Sequence, residues 1–262
     1  MLAADHVTQV PGAYDPASAA LAVRAGHRAV HLSGAAISAT MLGRPDLGFG
    51  SATQMADRAA TLVRALGGVP LLADADIGYE SPDHAVWTAL AYQRAGISGL
   101  VLDDGEDADR AAATITVLAG QASEVALIAH ARGRGIADTI ERCRAYAAAG
   151  ADGVLPAIVD EATDLGRLRA ALPGVPLVVS RSETAPGGKW LADADLAALG
   201  VRLVLHPLAA VLAALRAASL VYRAILDDGN AERVDRMPLG AFATLTEPAE
   251  ASVTRRIDRL DT

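Results

Sequence analysis

Residues 69–80, VPLLADADIGYE, form an apolar run that ends in three acids, Asp74, Asp76 and Glu80. A strand turns successive side chains to opposite faces, so Asp74 and Asp76 are expected on one face and Ala73 and Ala75 on the other. Two like charges on one face repel and are costly to bury unless a positive group lies between them or they share a proton. The candidates are a metal ion, an arginine or that shared proton. A second apolar run, GLVLDD, ends in Asp103 and Asp104. Hard divalent cations prefer carboxylate oxygen and water. Asp74, Asp76 and Asp103 are therefore candidate ligands of Mg²⁺, with Mn²⁺ as its substitute, held directly or through water. Other apolar runs end at Tyr14, at Ser33 and Gly34, at His130 and Arg132, at Ser180 and at His206. An arginine clamps a carboxylate bidentately, which suits Arg132 to a substrate carboxylate. Backbone N–H groups after Ser33 suit a second carboxylate or an oxyanion. His130, His206 and Tyr14 are the candidate proton carriers, since histidine titrates near neutrality. Plainer readings stand beside these. Asp76 can cap the turn at Gly78, and Asp104 can cap a loop or helix at Gly105. His130 can be a satisfied wall residue, Arg132 can pair with a structural acid, and His206 can cap the helix that follows Pro207.

These residues converge only if their strands lie side by side with their C-terminal ends together. A motif recurs in which a helix closes on glycine and a short apolar strand follows: VRAGHRAVHLSG, QRAGISGLVLDD, AAAGADGVLPA and AALGVRLVLHP. Gly26, Gly96, Gly150 and Gly200 are the expected left-handed helix ends. With strands expected at 10–14, 69–76, 125–131 and 175–180, eight strands alternate with helices near 15–25, 52–66, 82–95, 107–120, 136–149, 160–172, 191–199 and 207–227. Asp15-Pro16 and Ser51 with Gln54 carry start signals. Apolar strands between amphipathic helices indicate a parallel sheet. Eight such units in 262 residues indicate a (β/α)₈ barrel, typically about 250 residues, where strand ends face the active site. An open doubly wound sheet is the competitor, and no G-x-G-x-x-G follows the first strand to support a dinucleotide fold. The stretch 35–50 is long for a strand-to-helix loop and falls at the barrel mouth. The expected division is a barrel domain over 1–227 and a polar tail over 228–262, whose VTRRIDRL is a candidate terminal helix.

Composition narrows the function classes. A net charge of −8 with no basic block argues against nucleic acid and anionic membrane as partners. One cysteine, Cys143, in the helical stretch IERCRAY, gives neither a disulfide framework nor a cysteine metal site. The first residues, MLAADHVTQV, are unlike a signal peptide, and charged residues interrupt the alanine-rich helices, so a cytoplasmic protein is expected.

PGAYDPASAALAVRAG, HLSGAAISATMLGRPDLG, LLADADIGY and IERCRAYAAAGADGVLP resemble the isocitrate lyase / phosphoenolpyruvate mutase superfamily, most closely its methylisocitrate lyase-like branch; HPLAAVLAALRA matches more weakly. The resemblance covers most of residues 9 to 226. It implies a (β/α)₈ barrel whose last helix is exchanged between subunits of a dimer or tetramer. It also implies Mg²⁺ and the making or breaking of a C–C or P–C bond beside an oxo or enolate carboxylate. It assigns carboxylate binding to Ser33, Gly34 and Ala35, an active-site role to Asp46, metal binding to Asp74 and more directly Asp76, and a motif role to Arg132. Asp103 stands where glutamate is usual, His31 where tyrosine is usual, Glu80 where glycine is common, Ala157 where glutamate is frequent, and Arg134 where an acid follows the strand-five pair.

The family's lyases carry a mobile loop after the fourth strand, with a cysteine as acid or base. Here LVLDDGEDADRAAATITVL runs straight into a helix, and Cys143 lies mid-helix. The reading is a Mg²⁺-dependent lyase that cleaves or forms a C–C bond in a small oxo- or hydroxy-carboxylate through a metal-stabilised enolate. The alternatives are a hydrolase or mutase acting on a C–C or P–C bond and a catalytically degenerate carboxylate-binding homologue.

Overall fold

The structure is a computed structural model; it describes residues 1–46, 48, 50–79, 81–157, 162–181 and 191–246. Glu80 and VTRRIDRL lie outside the described residues. In chain order the elements are β1 (Thr8–Pro11), α1 (Pro16–Arg24), β2 (Val30–Leu32), α2 (Gly34–Ile37), a π-helical turn (Ser38–Leu42), α3 (Ala52–Leu66), β3 (Leu71–Asp74), α4 (Pro82–Arg94), β4 (Gly99–Asp103), α5 (Ala108–Gln121), β5 (Ala126–Ala131), α6 (Ile136–Ala149), β6 (Gly153–Pro156), α7 (Ala162–Ala171), β7 (Leu177–Ser180), α8 (Asp193–Ala198), β8 (Val201–His206), α9 (Ala209–Asp228) and α10 (Leu239–Thr246).

The local signals act as the residue types require. Asp15 and Ser18 form a reciprocal capping box with Pro16 in the first turn of α1, and Ser51 and Gln54 form another on α3. Gly26, Gly96, Gly150 and Gly200 all take positive φ, between 87° and 108°. At Gly150 a Cβ would also stand 2.7 Å from that of Ala119.

All strand pairs are parallel, in the order β1-β8-β7-β6-β5-β4-β3-β2. An isolated bridge from Gly12 to His31 joins the ends of that order, with the Ala13 N–H donating to the His31 carbonyl at 2.8 Å. The result is the expected (β/α)₈ barrel. Its inside is filled by Val10, Leu72, Val101, Ile128, Leu155, Val178, Leu203 and Leu205, while a larger cluster packs the outer strand faces against the helices. Odd and even positions of each strand thus enter different layers, which decides which polar residues can reach a central site.

Two boundaries differ from expectation. β1 spans 8–11 rather than 10–14, because beyond Pro11 the chain turns from β8 to the bridge with β2. The stretch 35–50 begins with α2 and the π-helical turn instead of open loop.

Gly12 is the seam of the barrel. Its N–H donates to the His206 carbonyl at 2.9 Å, and a Cβ there would fall 2.2 Å from the Pro207 carbonyl oxygen. Gly12→Ala must push β1 and β8 apart. Overpacking costs about 1–3 kcal/mol, so a drop of about 5 °C in melting temperature, read by calorimetry, is expected.

The chain divides into two compact units, Met1–Arg216 and Ala217–Thr262. The boundary lies within α9. That helix is long and apolar enough to cross a membrane by length and composition, with mean hydropathy 1.6. Leu212, Leu215, Tyr222, Ile225 and Leu226 on α9 are exposed, as are Leu239 and Phe242 on α10.

Candidate active site

A cavity of about 230 Å³ lies at the C-terminal ends of the strands. Of the expected site residues, Ser33, Ala35, Asp46, Asp74, Asp76, Asp103, His130, Arg132 and Ser180 line it, with apolar walls from Val101, Leu155, Leu205, Pro207 and Leu208. Gly34 contributes through its backbone.

Asp74 ends β3 and is held at both oxygens: Oδ1 lies 2.9 Å from Nε2 of His31, and Oδ2 accepts the Gly34 N–H at 2.8 Å. Burial alone would raise its pKa. The nearby charge and hydrogen bond of His31, the Gly34 N–H and the field of His130 outweigh it and leave the group below its ordinary value. The Gly34 N–H, expected to await a substrate oxygen, is therefore taken by the protein itself. Asp46 and Asp74 both flank Gly34: Oδ2 of each lies 3.6 Å from where a Cβ on Gly34 would be, an ordinary van der Waals distance.

Asp76 reaches the cavity by a route that strand alternation does not describe. β3 stops at Asp74, and Asp76 lies in a turn closed by the Gly78 N–H on the Ala75 carbonyl, with φ of 44°. Aspartate tolerates this left-handed region better than most residues. The Asp76 carbonyl accepts the Asp103 N–H at 2.7 Å, which ties the turn to β4. Among the described residues its carboxylate has no hydrogen bond or ion pair. Burial, followed by the charges of Asp46, Asp74 and Asp103, pushes it up to about 6. Asp46 is likewise raised, by burial and then by Asp74, against the lowering effects of Arg132 and a hydrogen bond from Ser38.

Asp103, at the end of β4, is the opposite case. Its Oδ2 meets His130 Nδ1 at 2.9 Å and Arg132 Nε at 2.7 Å, while Oδ1 accepts the Gly105 N–H at 2.8 Å. Burial opposes ionisation, but these partners, led by His130, hold the group down at about 2.

Asp104 points the other way and is buried, with 2% exposure. Its Oδ2 accepts from the Arg132 N–H at 3.0 Å, Arg142 Nη1 at 2.9 Å and the Tyr146 hydroxyl at 2.8 Å; Oδ1 accepts from the Glu106 N–H at 3.0 Å. The plain reading of Asp104 as a loop cap at Gly105 matches the Glu106 N–H on its Oδ1, while its Oδ2 is taken by partners further along the chain.

Two expected proton carriers lie elsewhere. His206 shares its strand face with Val204, in the outer layer, while Leu205 faces inward; its Nε2 meets Gln9 Oε1 at 2.7 Å, and Gln9 in turn bonds to Asp193. Tyr14 packs against the outer core and is not in the cavity lining. The facing parity of β8 turns His206 outward, and Tyr14 lies beyond the end of β1, where strand alternation no longer sets its direction. Cys143 is fully buried and its thiol is pushed up to about 12, so it takes no part. The sequence reading missed His31, which lines the cavity at 3% exposure, as a site residue. The alternation in β2, with Val30 and Leu32 outside, points it inward.

Among the described residues no three His, Cys, Asp or Glu groups come together closely enough to hold a metal ion by themselves. Four carboxylates nevertheless share the cavity with Arg132, and only the Asp76 oxygens have no protein partner among the described residues. That donor set fits Mg²⁺, which keeps several waters and needs only one or two protein carboxylates.

The phosphoenolpyruvate phosphomutase family model matches residues 2–226. The chain is 28% identical to a 2-methylisocitrate lyase of Bacillus subtilis, over 88% of this chain and 81% of the relative. It is 30% identical to an oxaloacetate decarboxylase of Ectopseudomonas mendocina, over 83% of this chain and 79% of the relative. The crystal structure of a phosphonopyruvate hydrolase in complex with oxalate and Mg²⁺ superposes with a TM-score of 0.81 at 25% identity, covering 92% of this chain and 90% of the other.

Proposed function

This chain belongs to the phosphoenolpyruvate phosphomutase family, and on that footing we propose that it is a Mg²⁺-dependent lyase. Its substrate would be a small oxo- or hydroxy-carboxylate in which it cleaves or forms a C–C bond. The observation that carries this reading is the Asp76 carboxylate, without a protein partner among the described residues and pushed up to about 6 by burial and three further acids. Asp76 would hold the ion directly, and Asp74 and Asp103, whose oxygens are already engaged, through water. When bound, Mg²⁺ supplies positive charge beside the oxygen on which an enolate develops. Mn²⁺ has the same ligand preference and would substitute.

The remaining work falls to side chains. The Arg132 side chain is 53% exposed and, among the described residues, its guanidinium is bonded only through Nε to Asp103, which leaves its Nη atoms to receive a substrate carboxylate. Ser33, Ala35 and Ser180 would orient the other end of the substrate. His130 turns Nδ1 to Asp103, so Nε2 is the atom at which it holds or delivers a proton.

One observation favours decarboxylation among C–C cleavages. After Asp103 the chain makes a short turn, in which the Asp107 N–H donates to the Asp104 carbonyl, and Asp107 then caps α5. That junction brings no acid or base over the cavity. Cleaving a hydroxy-acid requires removal of a hydroxyl proton, whereas a β-oxo acid loses carbon dioxide without one. The similarity to an oxaloacetate decarboxylase supports this order of preference. The test is turnover of oxaloacetate, 2-methylisocitrate and phosphonopyruvate with Mg²⁺ and with EDTA. Mg²⁺-dependent release of carbon dioxide or pyruvate is expected. Phosphonopyruvate hydrolysis would move the chain to the hydrolase or mutase reading, and tight oxalate binding without any turnover to the degenerate one.

The exposed apolar residues of α9 and α10 support a homodimer or homotetramer in which the C-terminal helix is exchanged; Leu226 and Leu239 are 79% and 81% exposed. Light scattering is expected to give a dimer or tetramer that Leu226→Glu shifts toward monomer. A cytoplasmic location with no nucleic-acid or membrane partner completes the reading; it fits the net charge of −8 and the small-carboxylate chemistry.

A further inference from the structure

We propose that Tyr146 and Arg142 are positioning residues for Arg132, acting through the buried carboxylate of Asp104. The inference rests on the reading that Arg132 receives a substrate carboxylate.

The β4–β5 ladder pairs Asp103 with His130, and the Asp104 N–H continues it onto the His130 carbonyl at 3.1 Å. The next donor, the N–H of Arg132, meets no strand carbonyl. It meets Oδ2 of Asp104 at 3.0 Å. A side-chain oxygen therefore does for Arg132 what a longer strand would do for it, and sets the peptide plane from which the guanidinium reaches Asp103 at 2.7 Å.

That oxygen is itself aimed by helix α6. Arg142 Nη1 and the Tyr146 hydroxyl, one helical turn apart, converge on the same Oδ2 at 2.9 and 2.8 Å. Arg142 is steadied in turn by Asp138, whose Oδ2 also accepts the Arg134 N–H at 2.8 Å, and by the Glu106 carbonyl. The turn after β4 and the segment after β5 are thus tied to one helix through one carboxylate. Arg132 itself is half-exposed, and its other anchor among the described residues is Asp103. Without Asp104 its backbone would lose the bond that fixes its direction.

Neither Tyr146 nor Arg142 lines the cavity, so any effect on the site passes through Asp104. Tyr146→Phe removes one donor and preserves ring packing. Arg142→Lys keeps the charge and removes the fork.

The experiment compares the full-length protein with both variants by three measurements: melting temperature, the ¹⁵N–¹H signal of the Arg132 Nε–H group, and calorimetric oxalate binding in excess Mg²⁺. Expected for Tyr146→Phe is a folded protein whose Arg132 Nε–H exchanges with water about tenfold faster and whose oxalate affinity falls about tenfold. Arg142→Lys is expected to shift both readouts in the same direction. An Arg132 Nε–H signal unchanged in both variants overturns the proposal, whatever happens to the melting temperature, because a purely structural role leaves that signal alone. If the parent protein fails to bind oxalate, the functional reading fails, while the Arg132 signal still decides the positioning role.

Discussion

Asp76→Ala abolishes Mg²⁺-dependent oxalate binding and lowers turnover of any active substrate by about 10²–10⁴-fold. The magnitude follows from the several kcal/mol that a Lewis-acidic ion contributes at a developing oxyanion, with about 1.4 kcal/mol per tenfold in rate. The same carboxyl makes a second prediction whose sign is less intuitive. In the metal-free chain its pKa is about 6, against an ordinary 3.8. Between those values the folded state keeps a proton that the unfolded chain has released, so the contribution of Asp76 to stability falls as pH rises through this window. Above about pH 6 the full penalty is present. Asp76→Asn should therefore raise the melting temperature of the EDTA-treated protein at pH 7 and leave it nearly unchanged at pH 3.5. Discounted for partial exposure, the gain is about 1 kcal/mol, or about 2–4 °C. Mg²⁺ should stabilise the parent and not the variant, and its apparent affinity should weaken as pH drops below 6, where a proton competes for the same oxygens. Unchanged kinetics in Asp76→Ala with every active substrate would remove Asp76 from the metal site and leave the carboxylate cluster unexplained.

Arg142→Ala has the largest expected effect on stability. The Arg142 and Asp104 side chains are 10% and 1% exposed, and the change leaves the Asp104 carboxylate in the interior without the one charged side chain that pairs with it among the described residues. Breaking a buried pair on one side costs about 3–5 kcal/mol. For a chain of this size that is about 6–20 °C in melting temperature. A control separates the buried pair from ordinary surface charge. Asp138 also pairs with Arg142, but with its side chain 40% exposed; Asp138→Asn should lower the melting temperature far less than Arg142→Ala. The double variant Asp104→Leu, Arg142→Met should recover part of the loss, because no lone charge remains. It should not recover all of it, since the Arg132 and Glu106 N–H groups also rely on Asp104. If Arg142→Ala melts within 2 °C of the parent in scanning calorimetry, the pair is not the anchor its geometry describes.

Much of the architecture is legible in the sequence, because the signals that set it are local. Ser51 and Gln54 fix the start of α3 within one turn of backbone, and the four helix-closing glycines mark where strands begin. The strand ends themselves pick out Asp74, Asp103, His130, Arg132 and Ser180, because a parallel barrel gathers those ends at one mouth.

What the sequence by itself determined is this barrel and the set of acids at its rim, since period, capping and strand order are written in short-range patterns. Only the tertiary structure decided which member of a neighbouring pair enters the cavity. Asp103 goes in and Asp104 goes out, Leu205 faces the axis and His206 does not, and Asp76 arrives from a left-handed turn and not from a strand. Those outcomes depend on inter-strand register and on partners 28 to 42 residues away along the chain. The charge state of each carboxylate depends on the same partners. His31 holds Asp74, His130 and Arg132 hold Asp103, and no comparable partner among the described residues holds Asp76. Identical side chains a few residues apart therefore sit on opposite sides of their ordinary pKa, a difference fixed by long-range contacts and not by residue type.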